Sequence, residues 1–206
     1  METLSELHFN ALCDIINIGT ECAAQGLGEV IGEAVESSLP TVELVKLENT
    51  STKTLLLESG QFGVVTQEFS GDLTGEVLML FAEDDALRIV RSMMGTIIDL
   101  DVVREFENEA MCELGNIMIN ACLSSIADSL HLPIESSIPR YDIKSGDEVV
   151  GYIKADSSQG FVLASHVDIS VEQHPIQGKL FFLINTLSLS DVVDEIDQFI
   201  SINKAM

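Results

Sequence analysis

The chain has 206 residues, 46% of them hydrophobic, enough for a packed core in one large domain or two small ones. Thirty-four acidic residues against ten basic ones give a net charge of −24, which repels phosphate backbones and anionic bilayer surfaces and so excludes nucleic acid and acidic membranes as natural partners. No apolar run reaches the roughly 18 residues of a membrane span and the opening METLSELHFN is acidic, so neither a span nor a signal peptide is expected and the expected location is the cytoplasm.

Residues 5–31 place Leu7, Leu12, Ile15, Ile16, Ala23 and Leu27 in a helical rhythm, which predicts a long helix despite Gly19, Gly26 and Gly28. Pro40 opens a strand over Thr41–Leu47, and three further strands are expected at Lys53–Glu58, Phe62–Phe69 and Gly75–Phe81, reading as an antiparallel meander. Glu83, Asp84 and Asp85 then start a second helix with an apolar stripe through Leu87, Val90 and Met93, closing at Gly95. The order repeats: a helix over about Val103–Leu130, strands around Arg140–Ile143, Glu148–Ala155, Phe161–Asp168 and Lys179–Leu187, and a last helix through Asp191–Ile200. Gly75 and Gly178 open what look like equivalent strands. The expected fold is α+β, one domain over residues 1–206, with half-domains of about 1–99 and 100–206 related by pseudo-two-fold symmetry and long helices packed on a largely antiparallel shared sheet.

The halves echo each other in detail. Residues 10–45 and 109–144 align without a gap at an offset of 99 and share eight identities, among them Cys13/Cys112, Asn17/Asn116, Ser37/Ser136 and Pro40/Pro139. At 100° per residue, Asn10, Asp14 and Asn17 fall within about 60° around the first helix, as do Glu109, Glu113 and Asn116 around its counterpart. Leu12, Ile15, Ile16 and Ile18, with Met111, Leu114 and Ile117 in the second copy, should point into the core. A polar helix stripe is ordinarily just the wet side. Asparagine is an indifferent helix former, however, and its retention mid-helix in both copies calls for a reason. A carboxylate with a carboxamide three residues later offers a charged anchor and a group that both donates and accepts.

The four cysteines, Cys13, Cys22, Cys112 and Cys122, fall in predicted helices without CxxC spacing and are expected as small core residues. The four histidines are scattered, so no metal site is expected.

The segments DIINIG and ELGNIM, with prolines after 22 intervening residues, resemble the active-site motif of the CheC/CheX/FliY phosphatases. That motif runs Asp or Ser, Glu four residues on, Asn three further on, then the spaced Pro. Its proteins dephosphorylate the chemotaxis response regulator CheY, and two copies in about 200 residues are similar to the two-site CheC branch. The chain departs from the pattern where Asn10 and Glu109 replace the usual Asp or Ser, and where Asp14 replaces Glu, shortening the reach by about 1.5 Å. Since about 1 Å of misplacement can cost on the order of 100-fold, Glu113 and Asn116 are expected to form the stronger site and Asp14 and Asn17 the weaker.

The resemblance implies a phosphoaspartate phosphatase. The asparagine orients water for a loose, in-line attack, and the acid pairs with a lysine on the regulator rather than acting as a base. No cofactor is expected on this chain; Mg²⁺ and the phosphorylated aspartate would belong to the CheY-like receiver. Pro40 and Pro139 are expected to be structural. The alternative is a noncatalytic adaptor that docks a response regulator, the deamidase CheD or a flagellar-switch component.

Overall fold

Ser5 starts the first helix by accepting a hydrogen bond at Oγ from the N–H of His8 (3.2 Å), satisfying a donor that the helix itself cannot. That helix, α1 (Glu6–Ile31), stops at Gly32, whose φ of 78° lets its N–H reach Gly28 O at 2.9 Å. The computed structural model describes residues 5–32, 34–38, 41–46, 51, 55, 57, 60–94, 100–155, 160–171 and 174–203. After α1 come β1 (Val35–Ser37), β2 (Thr41–Lys46), β3 (Gln61–Gly71), β4 (Gly75–Ala82) and α2 (Glu83–Met94). The remainder is α3 (Leu100–Leu130), β5 (Ile134–Ser136), β6 (Arg140–Ser145), α4 (Gly146–Ala155), β7 (Gly160–Val171), β8 (His174–Asn185) and α5 (Thr186–Asn203). Helix α3 also ends on a left-handed residue, 99 positions on, though with a different closing bond: His131 takes φ 52°, and the N–H of the following Leu132 reaches Ala127 O at 3.0 Å.

The described strands form one antiparallel sheet in the order β1-β7-β8-β4-β3-β5, with β2 also on β7 and β6 also on β3. This order reads the same when the halves are exchanged. Each half lends its short β1–β2 or β5–β6 segment to the long hairpin of the other. The expected meander is therefore corrected: β3 and β4 form a hairpin, but β2 lies across the sheet on β7 rather than beside β3. Local turn signals cannot report an exchange of edge strands between halves.

Two further expectations change, and one falls largely outside the described residues. Glu148–Ala155 is helical, not a strand. Ser145-Gly-Asp-Glu148 is a capping box: the Glu148 carboxylate accepts from the backbone N–H and hydroxyl of Ser145, both at 2.7 Å, and Ser145 Oγ accepts from the N–H of Glu148 at 3.3 Å. Those bonds hold the Glu148 carboxyl below the usual carboxylate range. The strand expected over Lys53–Glu58 lies largely outside the described residues; Leu55, which is described, sits in a turn with its N–H on Ser51 O at 2.9 Å. Exchange of the halves sends the Phe81–Gly178 pair onto Phe182–Val77, so Val77 rather than Gly75 is the counterpart of Gly178. A shift of two residues preserves which face each side chain takes, so the alternating pattern is blind to it.

The sheet is buried on both faces, which is why β4 reads as a near-continuous apolar run. On one face α1, α2, α3 and α5 cover Val65, Phe69, Val77, Met79, Phe81 and Phe182. On the other, Val149 and Ile153 of α4, with Leu55 and Leu57, cover Val64, Leu78, Leu80, Val162 and Phe181. Phe81, Phe181 and Phe182 are almost fully enclosed, each contributing about 2–3 kcal/mol by removal from water. Within α3, the stretch Arg104–Leu130 is long and apolar enough to cross a membrane by length and composition, but half of its apolar window is buried inside the protein. It is the central core helix of the helical layer.

Candidate functional site

Glycine sets how closely the two long helices approach their neighbours. A Cβ on Gly115 would stand 2.4 Å from Cγ1 of Val65, so α3 lies against β3 only because residue 115 has no side chain. A Cβ on Gly19 would lie 2.8 Å from Cα of Cys122, which brings α1 onto α3. Ser125 Oγ donates to Ile15 O across that crossing at 2.9 Å. With Met111, Leu114 and Met118 buried beneath α3, Glu113 and Asn116 between them turn outward.

Glu109, Glu113 and Asn116 all lie on the exposed face of α3. On α1, Asn10 and Asp14 are exposed and Asn17 is half-buried. Each trio thus shares the face expected of it. Leu12, Ile15 and Ile16 are buried as expected, but Ile18 is exposed (48%) and its counterpart Ile117 is half-buried. Ile18 sits one step past Asn17, on the rim of the apolar stripe rather than within it.

The amide of Asn116 is held. Asn120, one turn on, donates through Nδ2 to Asn116 Oδ1 at 2.8 Å. Asn120 Oδ1 accepts from Gln67 Nε2 (3.1 Å) and from Ser136 Oγ (2.8 Å). Gln67 Nε2 also donates to Ser137 O at 2.8 Å. Because Val65 and Gln67 are two apart on β3 they face the same helix, so the close approach at Gly115 brings Gln67 within reach of Asn120. Asn120 and Gln67 carry no signal in a linear reading, since the pair is joined across 53 residues; only Asn120's position one turn after Asn116 could have pointed to it.

The segment after β5 runs along the same helix face. Ser137 is tied to β3 through its N–H on Glu68 O (2.8 Å) and its Oγ, which accepts from the N–H of Glu68 (3.1 Å). Pro139 O accepts from the thiol of Cys112 at 3.7 Å. Ile138 between them is an apolar side chain left 86% exposed.

In the first copy Asn17 Oδ1 is buried without a hydrogen-bond partner, and Glu21 stands where Asn120 stands in the second. An open cavity of about 570 Å³, lined by Glu21, Gln25, Glu29, Val35 and Ser37 among others, flanks this side of α1. Pro40 lies outside the described residues.

The thiols beside the acids are poor nucleophiles. Burial pushes Cys112 up, and burial followed by the negative charge of Asp14 pushes Cys13 up. Of the cysteines expected in the core only Cys122 is buried, its thiol pushed up to about 12 chiefly by burial; Cys13 and Cys112 are half-buried and Cys22 is exposed. Among the described residues no group of three or more His, Cys, Asp or Glu side chains is arranged to hold a metal.

No family model matches the chain. Along its length it is 23% identical over 191 residues to the CheY-P phosphatase CheC of Bacillus subtilis, covering 87% of this chain and 89% of that protein. It is likewise 21% identical over 164 residues, 79% of this chain and 83% of that protein, to the putative CheY-P phosphatase CheC1 of Halobacterium salinarum. Its fold is that of Thermotoga maritima FliY, with a TM-score of 0.73 at 21% identity, covering 96% of this chain and all of that one. It is also similar, with a TM-score of 0.55 at 16% identity over 84% of this chain and 98% of that one, to the structure of CheX in complex with CheY, BeF₃ and Mg²⁺ from Borrelia burgdorferi. In the motif noted in the sequence, the Glu and Asn positions are Glu113 and Asn116 and the spaced proline is Pro139.

Proposed function

We propose that the protein is a cytoplasmic phosphatase acting on the phosphoaspartate of a CheY-like receiver domain, with Asn116 as the catalytic residue and Glu113 as the docking residue. One observation carries this reading: an outward-facing carboxamide, fixed by Asn120, lies three residues from an exposed carboxylate on one face of α3.

The chemistry follows from the group. Hydrolysis of an acyl phosphate passes through a loose transition state, so the attacking water needs alignment more than deprotonation. The free lone pair of Asn116 Oδ1 accepts from water while Nδ2 donates to a phosphoryl oxygen, setting the water in line. A carboxylate would repel the phosphoryl group if it stood beside it. Glu113, exposed on α3, instead pairs with a cation of the receiver and brings the amide to the phosphate. The receiver supplies the phosphorylated aspartate and the Mg²⁺ that neutralises charge around it. Asp14 and Asn17 form a second, weaker site, shorter by one methylene and with the amide oxygen unpartnered.

A test follows the lifetime of a phosphorylated receiver in Mg²⁺ buffer. The reading expects the wild type to shorten it and Asn116→Ala, shown folded by circular dichroism, to restore most of it. The second reading is an adaptor that binds a regulator, CheD or a switch component without hydrolysis. The weakened first copy favours it, and it expects binding with an unchanged lifetime.

A further inference from the structure

The hydrogen bonds that reach Asn116 have a direction. The carbonyl of Ser137 can only accept, so Gln67 must turn Nε2 toward it, and that same nitrogen donates to Asn120 Oδ1. Ser136 Oγ donates to the same oxygen. The oxygen end of the Asn120 amide is thereby committed, its nitrogen end faces Asn116, and it donates to Asn116 Oδ1. Turning Gln67 over would set acceptor against acceptor at Ser137, and turning Asn120 over would set donor against donor at Gln67. Gln67 is buried (1% exposed) within the packed face between β3 and α3, where neither loss is made good by water.

We infer that Gln67 and Asn120 are positioning residues of the phosphatase, a carboxamide relay anchored on the Ser137 carbonyl that decides which end of the Asn116 amide meets the phosphoryl group. The inference rests on the phosphatase reading and adds to it what aims the catalytic amide. With Oδ1 held by Asn120, Asn116 presents Nδ2 with both hydrogens outward and keeps one lone pair for water. A free carboxamide would divide its time between two opposite polarities, and only one of them places the water.

The first copy supplies an independent contrast. The strand registers pair Arg140 with Thr66 and, 99 residues earlier, Thr41 with His166, so β3 and β7 correspond at an offset of 100. Val167 therefore stands at the place of Gln67, and Glu21 at that of Asn120. Neither residue type has an N–H to give. Asn17 Oδ1 is, correspondingly, buried and unpartnered. The two sites differ in their relay as well as in Asp14 against Glu113.

The test is steady-state hydrolysis of a phosphorylated CheY-like receiver by the full chain. Asn120→Asp keeps the shape and the acceptor for Gln67 and Ser136 but removes the donor to Asn116. The relay predicts that kcat falls by about 10- to 100-fold, with KM and affinity for a beryllofluoride-loaded receiver unchanged. Gln67→Met, which removes the anchor without adding a charge, loses kcat in the same way and serves if Asn120→Asp does not fold. In an Asn116→Ala background neither variant has a further effect, because both act through Asn116. An active wild type with kcat retained in both variants, or with the loss appearing in KM, overturns the relay and leaves the phosphatase reading standing. A wild type that hydrolyses nothing overturns the phosphatase reading and the relay's catalytic role together.

Discussion

Gly19→Ala is a substitution for which helix propensity and packing predict opposite signs. Propensity alone makes the alanine variant about 1 kcal/mol more stable, since glycine is poor in a helix interior. The crossing of α1 and α3 argues the reverse. The new Cβ would stand 2.8 Å from Cα of Cys122 and 3.2 Å from Cβ of Ser125, about 0.7 Å inside optimal carbon contact at the nearer atom. That atom is backbone and cannot rotate away, so the helices must separate. A separation of that size stretches the Ser125–Ile15 hydrogen bond, 2.9 Å long, past the limit at which it counts as one, forfeiting about 1 kcal/mol. Overpacking adds about 1–3 kcal/mol, and after the propensity gain the net destabilisation is about 2 kcal/mol. Urea unfolding followed by circular dichroism reads this as a lower midpoint at unchanged slope. A Gly19→Ala protein as stable as the wild type, or more so, would refute the packing argument.

Other outcomes follow from the caps and from one buried ring. His131→Gly relieves a left-handed residue at the end of α3 and should stabilise the protein by about 1 kcal/mol in the same assay; a loss would show that the His131 side chain contributes more than its strain costs. Ser145→Ala removes the hydroxyl that caps α4 and should cost about 1 kcal/mol, whereas no change would mean that the Val149 and Ile153 packing alone holds α4. Burial, then the Lys179 charge, lower the pKa of His166 against the weaker pull of Glu43. The folded state thus refuses a proton that the unfolded chain accepts below about pH 6.5. The stability this contributes is fully present above that pH and is lost as pH falls. The gap between wild type and His166→Gln should therefore move in the variant's favour between about pH 7.5 and about pH 5; a gap independent of pH would refute the assignment.

Much of this was legible in the chain itself, because a helix writes its faces into the sequence at a fixed period. The helical period alone puts Glu113 and Asn116 on one face of α3, and the 99-residue echo sets them apart from an ordinary wet stripe. Helices α1, α2, α3 and α5 and the β3–β4 and β7–β8 strands followed from the same kind of local pattern. What could not be read was set by distant partners. The exchange of β2 onto β7 depends on the sheet order, and the Gln67–Asn120 bond depends on the close approach that Gly115 permits. The Val149-Val150-Gly-Tyr-Ile153 run has strand-like composition, and only the Ser145–Glu148 capping box reveals α4. Ile18 was misplaced because period alone does not say where an apolar stripe ends.

The central claim is that Asn116, on the side of the molecule where Asn120 donates to its amide oxygen, carries most of the hydrolysis. The most direct measurement is the decay of a cognate phosphorylated receiver in Mg²⁺ buffer with wild type, Asn17→Ala, Asn116→Ala and the double variant. Wild type should speed the decay, Asn17→Ala should retain most of that effect, and Asn116→Ala should lose nearly all of it. An Asn116→Ala protein as active as the wild type, or a wild type that binds the phosphorylated receiver without shortening its lifetime, would contradict it.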